Sequence, residues 1–291
     1  YRLGSLANTD PDVRRAASDH LAASAQLCSE VDADSVSLWF ADGTNYPGQG
    51  NIRQRKRWFE EGLHALHAEL PAGKSMLIEY KPFEPAFYHT DIADWGMAAA
   101  FARAAGERAR VLVDTGHHLP GANIEHIVAF LIDEGLLGGF HFNDRKYADD
   151  DLTMGSIDPY QLFRILFEIT QAEHDLGREL DIAYMIDQSH NLKPKVEAMV
   201  QTVCTAHEMF ARALLVDHGA LATARERGDI IASERCLRSA FETDVRPMMR
   251  EYREARGLPA DPIDAHRQSG YTERMARERS PRKPRSDGGY A

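Results

Sequence analysis

Four residues able to bind a metal close four short apolar runs of this chain. Ser75-Met-Leu-Ile-Glu79 ends in a carboxylate, Val111-Leu-Val-Asp114 in a second and Tyr184-Met-Ile-Asp187 in a third, while Gly139-Phe-His141 presents an imidazole. A single acid at the end of an apolar run is ordinarily a turn residue or a helix cap. Four ligand-type residues in series point elsewhere. A buried carboxylate is unfavourable unless something pairs with it, and several close together repel one another. A divalent cation relieves both penalties.

A second set lies beside the first. Asp114-Thr-Gly-His117 puts an imidazole three residues after a carboxylate, with Gly116 expected to let the chain turn sharply. Asp149 and Asp151 are spaced i, i+2, which in an extended segment sets both on one side with Asp150 facing away. With His117 and Asp114 they form a second candidate centre, bridged by Asp114. His118 is expected to be structural or to support the site from behind, because two adjacent residues do not readily face one point. Oxygen donors with single imidazoles and no sulfur favour Mn²⁺, Mg²⁺ or Co²⁺ over a structural zinc. The expected cofactors are two divalent metal ions, Mn²⁺ foremost, with Co²⁺, Mg²⁺ or Zn²⁺ as the other candidates.

Such residues meet only if the elements carrying them converge. Strand-like runs at 35–40, 75–80, 111–114, 139–142 and 182–187 are short, apolar and closed by polar residues, as buried parallel strands are. Helical patterns separate them: Pro11–Glu30, Ile52–Glu69, 94–103, 124–134 and 160–176, then long stretches from Pro194 towards Leu221 and from Ile230 to about Arg256. Strands alternating with helices mean βαβ units and a parallel sheet. The predicted fold class is α/β: an incomplete (β/α)8 TIM barrel of about five C-terminal βα units with a C-terminal helical extension. In such a barrel the strand ends converge on one face, where active sites lie. A doubly wound open sheet is the alternative. It prefers a phosphate-binding glycine loop after its first strand, and Gly48-Gln49-Gly50 is only a lone G-x-G. A complete barrel needs three more strands before residue 30. The chain opens at Tyr1 rather than Met, and an N-terminal portion is expected to precede it.

The 291 residues carry a formal charge of −11, which argues against nucleic-acid or anionic-membrane partners. Cys28, Cys204 and Cys236 are far apart and odd in number, as in a cytoplasmic protein with reduced thiols. No apolar run is long enough to span a bilayer. Residues 1–265 are expected to form the catalytic barrel portion with its C-terminal helices. The 26 residues from His266 hold seven Lys/Arg and three Asp/Glu, leaving −15 on residues 1–265. This basic end reads as a flexible tail, a solvated terminus or strap onto a neighbouring subunit, with a targeting role as the alternative.

Five runs carry a family resemblance. Trp39-Phe-Ala-Asp-Gly-Thr-Asn-Tyr-Pro-Gly, Ile78-Glu-Tyr-Lys-Pro-Phe-Glu-Pro, Val113-Asp-Thr-Gly-His-His, Gly139-Phe-His-Phe-Asn-Asp-Arg-Lys-Tyr-Ala-Asp-Asp-Asp-Leu and Met185-Ile-Asp-Gln-Ser-His together resemble L-rhamnose isomerase. The bacterial branch of broad sugar specificity, within the xylose-isomerase-like barrel superfamily, is the nearest in pattern. The resemblance covers nearly all of residues 1–275. It implies that Glu79, Asp114, His141 and Asp187 hold a structural metal that also grips substrate hydroxyls. His117, Asp149 and Asp151 would hold a catalytic metal, with Asp114 shared. Lys81 would approach the sugar oxygens, and Trp39 would form an aromatic wall; plain core packing is the alternative for Trp39 and solvent exposure for Lys81. The catalytic residues implied are Asp187, Lys81 and His117, and the substrate-binding ones Trp39, Lys81 and Asp187. The family's first three barrel strands, with a further pocket wall, have no counterpart in this chain.

The activity implied is interconversion of L-rhamnose and L-rhamnulose, or of other aldoses and ketoses, by a metal-assisted 1,2-hydride shift in a cytoplasmic homotetramer. An enediol route would need a carboxylate base, for which Asp187 is the nearest candidate. A sugar 3-epimerase of the same superfamily, using one metal and two glutamates, is the rival enzyme. A DNA-repair endonuclease on this barrel would need a basic groove that the acidic body lacks. The non-enzyme alternative is an inactive, truncated sugar- or metal-binding remnant.

Overall fold

Local capping sets where the helices begin. The carboxylate of Asp10 accepts from the Asp12 amide and Pro11 occupies the first turn of α1 (Pro11–Glu30). Asn51, Asp94, Asn123 and Asp158 cap α2 (Ile52–Glu69), α3 (Trp95–Ala105), α4 (Ile124–Asp133) and α5 (Pro159–Leu176) in the same way. Between them run strands β1 (Ser35–Leu38), β2 (Gly43–Thr44), β3 (Ser75–Glu79), β4 (His89–Thr90), β5 (Ala109–Asp114), β6 (Leu137–Phe142) and β7 (Ala183–Ile186). The computed structural model describes residues 2–82, 89–189 and 192–279.

The main sheet has the order β1-β3-β5-β6-β7, and every pairing is parallel. It is a half-barrel with α2 to α5 packed outside it. Successive side chains of each strand point to opposite faces. Met76, Ile78, Val111, Val113, Phe140 and Phe142 join the buried cluster that also holds Phe59, Phe101, Phe163 and Phe167 of the helices. Leu77 and Glu79, Leu112 and Asp114, and Gly139 and His141 alternate with them on the concave side. One irregularity decides what that side presents. The register slips between Val111, which pairs with Leu137, and Leu112, which pairs with Gly139. Gly138 is the extra residue. Without the slip Asp114 would lie opposite Phe140; with it, Asp114 lies opposite His141.

The small second sheet pairs β2 with β4 in antiparallel fashion. It was not predicted, because two-residue strands carry no periodicity. The expected helix from Pro194 to Leu221 is two helices, α6 (Lys195–Leu214) and α7 (His218–Glu226), because Asp217 caps a new start on the Ala220 amide. The stretch from Ile230 likewise divides into α8 (Ile230–Glu242) and α9 (Arg246–Glu254), with Pro247 in the first turn of α9. The boundary expected at residue 266 falls inside α10 (Pro262–Gln268), which the Arg267–Glu197 ion pair ties to α6. Helix α11 (Tyr271–Arg279) follows. Residues 280–291 of the basic tail, Phe83 to Pro85 of the second quoted motif and His190 of the last lie outside the described residues. Among the described residues no helix is long and apolar enough to cross a membrane.

Candidate metal centre

Glu79 is the last residue of β3 and Asp114 the last of β5, and both are buried, at 3% and 0% exposure. His141 lies in β6 opposite Asp114. Its Nδ1 is 3.3 Å from Glu79 Oε1, 3.9 Å from Asp114 Oδ2 and 3.7 Å from Asp187 Oδ2. Glu79, Asp114 and His141 thus form one cluster of potential ligands, whose donor atoms all lie within 4.8 Å of one another. Asp187 sits at its rim, just past β7, with a side chain 58% exposed.

A second cluster of the same tightness joins Asp114, His117 and Asp149. His117 Nε2 is 3.5 Å from Asp149 Oδ2 and 3.9 Å from Asp114 Oδ2. The other ring nitrogen, Nδ1, is 3.1 Å from the Tyr80 carbonyl and 3.2 Å from Glu79 Oε1. A proton on Nδ1 satisfies those acceptors and leaves the Nε2 lone pair for a ligand. Asp151 lies against Asp149, and their shared charge is felt in its titration. Lys81 Nζ closes on Asp149 Oδ2 at 2.7 Å and stands 5.4 Å from the centre of the Trp39 ring. The Lys81 side chain is 11% exposed. Trp39 is 45% exposed and therefore not core packing.

The carboxylates fit a cation by what they lack. Asp114 Oδ1 accepts from the Gly116 amide at 2.7 Å and from Asn143 Nδ2 at 3.0 Å. Asp114 Oδ2 and Asp149 Oδ1 are buried with no hydrogen-bond partner among the described residues. Orphaned buried oxygens are rare and call for an explanation. With metal–oxygen bonds of about 2.1 Å, donors across an octahedral ion sit about 4 Å apart, close to the spread seen here.

Titration reflects the same crowding. Burial pushes the Asp114 carboxyl up to about 6, helped by Glu79 and opposed by His117. Burial and the neighbouring Asp149 raise Asp151 to about 7. Burial works against a proton on His117, but the carboxylates of Asp149, Asp114 and Glu79 prevail and raise it to about 9. Asp149 is held well below the usual range: burial opposes this, and His117 and Lys81 outweigh it.

Two local expectations need correction. Gly116 does not adopt the left-handed backbone of a sharp turn. Its glycine is required by proximity, since a Cβ there would lie 2.6 Å from Asn143 Oδ1 and 3.1 Å from Asp149 Oδ1. The 149–151 segment is not extended either. Asp151 has φ +45°, and Asp150 folds back to accept from the Lys146 and Tyr147 amides. Asp150 therefore does face away from the centre, but by a turn rather than by alternation. His118 is turned away as expected, with Nε2 2.6 Å from the Tyr80 hydroxyl. Sequence reading missed Asn143, whose amide holds Asp114 and whose only sequence signal is its position two residues after His141.

A parallel βα half-barrel with a carboxylate–imidazole centre at its strand ends is the class of structure defined here. No protein-family model matches the chain. Over 279 residues, 96% of the chain, it is 41% identical to a protein of Rhizobium meliloti and 39% identical to one of Mesorhizobium japonicum, each named probable sugar isomerase. The chain spans 65% of the length of each. Among solved structures it resembles a D-tagatose 3-epimerase-like protein with a TM-score of 0.51 at 14% identity, over 77% of this chain and 75% of that one. It also resembles the IOLI protein with a binding zinc atom, with a TM-score of 0.50 at 13% identity, over 71% of this chain and 72% of that one. At such identities the structural likenesses establish the barrel-type fold alone.

Proposed function

We propose that this chain is the metal-binding catalytic portion of an aldose–ketose isomerase of the L-rhamnose isomerase type, acting in the cytoplasm as a homotetramer. One observation carries the reading. Two adjoining carboxylate–imidazole clusters share Asp114, and one oxygen in Asp114 and one in Asp149 are buried without a partner. The similarity to proteins named probable sugar isomerase supports the substrate class.

In this reading Glu79, Asp114, His141 and Asp187 hold one divalent ion and Asp114, His117, Asp149 and Asp151 the other, Mn²⁺ being the first choice. The ions, when bound, supply Lewis-acid polarisation of the sugar's carbonyl and neighbouring hydroxyl oxygens during the 1,2-hydride shift. The rest falls to the side chains. Trp39 offers an apolar wall to the C–H face of the open-chain sugar. Lys81, fixed by Asp149, presents a cation to the oxygen on which negative charge develops. Asp187, exposed at the rim, is placed to accept a hydrogen bond from a substrate hydroxyl. His117 keeps its Nδ1 proton on the Tyr80 carbonyl and so holds one ring orientation throughout.

The test is a ketose assay on L-rhamnose with EDTA-stripped protein, with Mn²⁺ restored, and with Asp114→Asn. Full activity is expected in the restored wild type, none in the stripped protein, and a loss of at least about 100-fold in the variant. Deuterium placed at C2 of the aldose should be retained in the product; washout would favour the enediol route. The 3-epimerase reading rests on the fold likeness and makes a different product, a C3 epimer of a ketose. Glu79 is the sole glutamate in either cluster among the described residues, which favours isomerisation. Protein that binds Mn²⁺ but turns over neither sugar would support the remnant reading.

A further inference from the structure

The two candidate centres are held in unlike ways. Asp187 continues from β7, and its amide donates to the Phe142 carbonyl of β6 at 3.1 Å, so the sheet itself fixes it. Asp151 has no regular element beneath it and holds a left-handed backbone that side chains rarely adopt. Aspartate tolerates that conformation better than most residues, but with no regular element beneath it the position of Asp151 depends on ties to neighbouring segments.

We infer that Gln188 is a positioning residue for the Asp149–Asp151 loop, tying it to the end of β7 and to α6. The inference rests on the two-centre reading above. Gln188 Oε1 accepts from the Met154 amide at 2.7 Å, and its Nε2 is 2.9 Å from the hydroxyl of Thr202, which is fully buried in α6. The next residue repeats the connection, as the Ser189 amide donates to the Asp151 carbonyl at 2.9 Å. Lys193 adds a third tie, from Nζ to Thr153 Oγ1 at 2.7 Å and to Gln201 Oε1 at 3.0 Å. At its other side the loop is fastened by the reciprocal 2.8 Å backbone bonds between Asp144 and Leu152. Residues 152–154 are thus clamped between Asp144 and Gln188, and Asp151 adjoins the clamp, with its carbonyl held by the Ser189 amide. An amide suits this place: it reaches a backbone donor and a hydroxyl without adding a charge beside Asp151 and Asp187. Gln188 touches no reacting group in this arrangement. It acts through Asp151, and its loss falls on the His117 centre while the Glu79 centre stays with the sheet.

The experiment is a calorimetric titration of Mn²⁺ into metal-stripped protein. Wild type is compared with Gln188→Leu, Thr202→Val and His117→Ala, with circular dichroism as the check of folding. His117→Ala identifies the step of the isotherm that belongs to its centre. Gln188→Leu is expected to weaken that step by about 10- to 100-fold and to leave the other unchanged. Thr202→Val should weaken the same step less, and it decides the matter if Gln188→Leu does not fold. Two ions bound in wild type with both steps unchanged, or weakened alike, in the folded variants would overturn the inference alone. A wild type that binds fewer than two ions would overturn the two-centre reading as well.

Discussion

His117, Asp114 and Asp151 hold protons that a cation bound in the proposed centre would have to displace, and this gives that centre a pH dependence of definite sign. His117 titrates at about 9 in the fold against an ordinary 6.5. Its contribution to stability is full below the ordinary value and is lost as pH rises through the folded one. Asp114 and Asp151 titrate at about 6 and about 7 against 3.8, so the fold favours their neutral forms and is penalised as they ionise. All three act in the same direction between the ordinary carboxylate range and about pH 9. Asp149 and His118, both depressed, act in the opposite direction, Asp149 only below its ordinary 3.8 and the buried His118, at about 3, only below its ordinary 6.5. The thermal midpoint of the metal-free protein should therefore fall from about pH 7 to about pH 8.5, while Mn²⁺ affinity rises over the same range with net proton release. Scanning calorimetry and titrations in buffers of different ionisation enthalpy measure both quantities. A metal-free midpoint that climbed with pH would contradict the assignment of these groups.

At the scale of elements, the slip between β5 and β6 selects the residue that Asp114 faces. It depends on Gly138. A Cβ at that position would lie 2.5 Å from Leu77 Cδ2 and 2.6 Å from Arg110 Cβ, one of them a fixed backbone-proximal atom. Leu77 shares its strand face with Glu79, so displacing it also displaces a candidate ligand. Gly138→Ala should lower stability by about 1–3 kcal/mol, the usual effect of overpacking, and weaken the Glu79–Asp114–His141 centre. Chemical denaturation and Mn²⁺ titration read the two effects separately, and a variant unchanged in both would remove the register argument. The strands themselves were legible in the sequence, because apolar runs closed by polar residues mark buried parallel strands, and each observed end lies within two residues of its predicted place. Glu79, Asp114, His141 and Asp187 were legible as candidate ligands for the same reason, as they lie at the ends of those runs, whereas His117, Asp149 and Asp151 were picked out only by their spacing in the loops that follow. The Gly138 slip was not legible, since register is a relation between two strands. Asn143 and Gln188 were hidden likewise: each acts through a bond to a residue about 30 positions away, which no local pattern encodes. Helix breaks at Asp217 and Thr243–Val245 were hidden by an amphipathic pattern that runs on through them.

Charge is the property that belongs to the chain as a whole, and under the proposed function it separates the metal from the sugar. The net charge is −11, and five carboxylates, Glu79, Asp114, Asp149, Asp151 and Asp187, gather at one end of the half-barrel around two imidazoles and Lys81. Such a field draws divalent cations towards the centre and leaves an uncharged aldose unaffected. Salt contracts its reach from about 30 Å at 0.01 M to about 8 Å at 0.15 M. Across that range the dissociation constant for Mn²⁺ should rise several-fold, chiefly through slower association. With Mn²⁺ held saturating at each ionic strength, KM for the aldose should change by less than about twofold, because no charge on the substrate couples to the field. Stopped-flow binding of Mn²⁺ beside steady-state kinetics separates the two. Were KM to rise in step with the metal's dissociation constant under saturating Mn²⁺, the substrate would have to be charged, and the neutral-sugar assignment would give way to one in which Lys81 meets an anion.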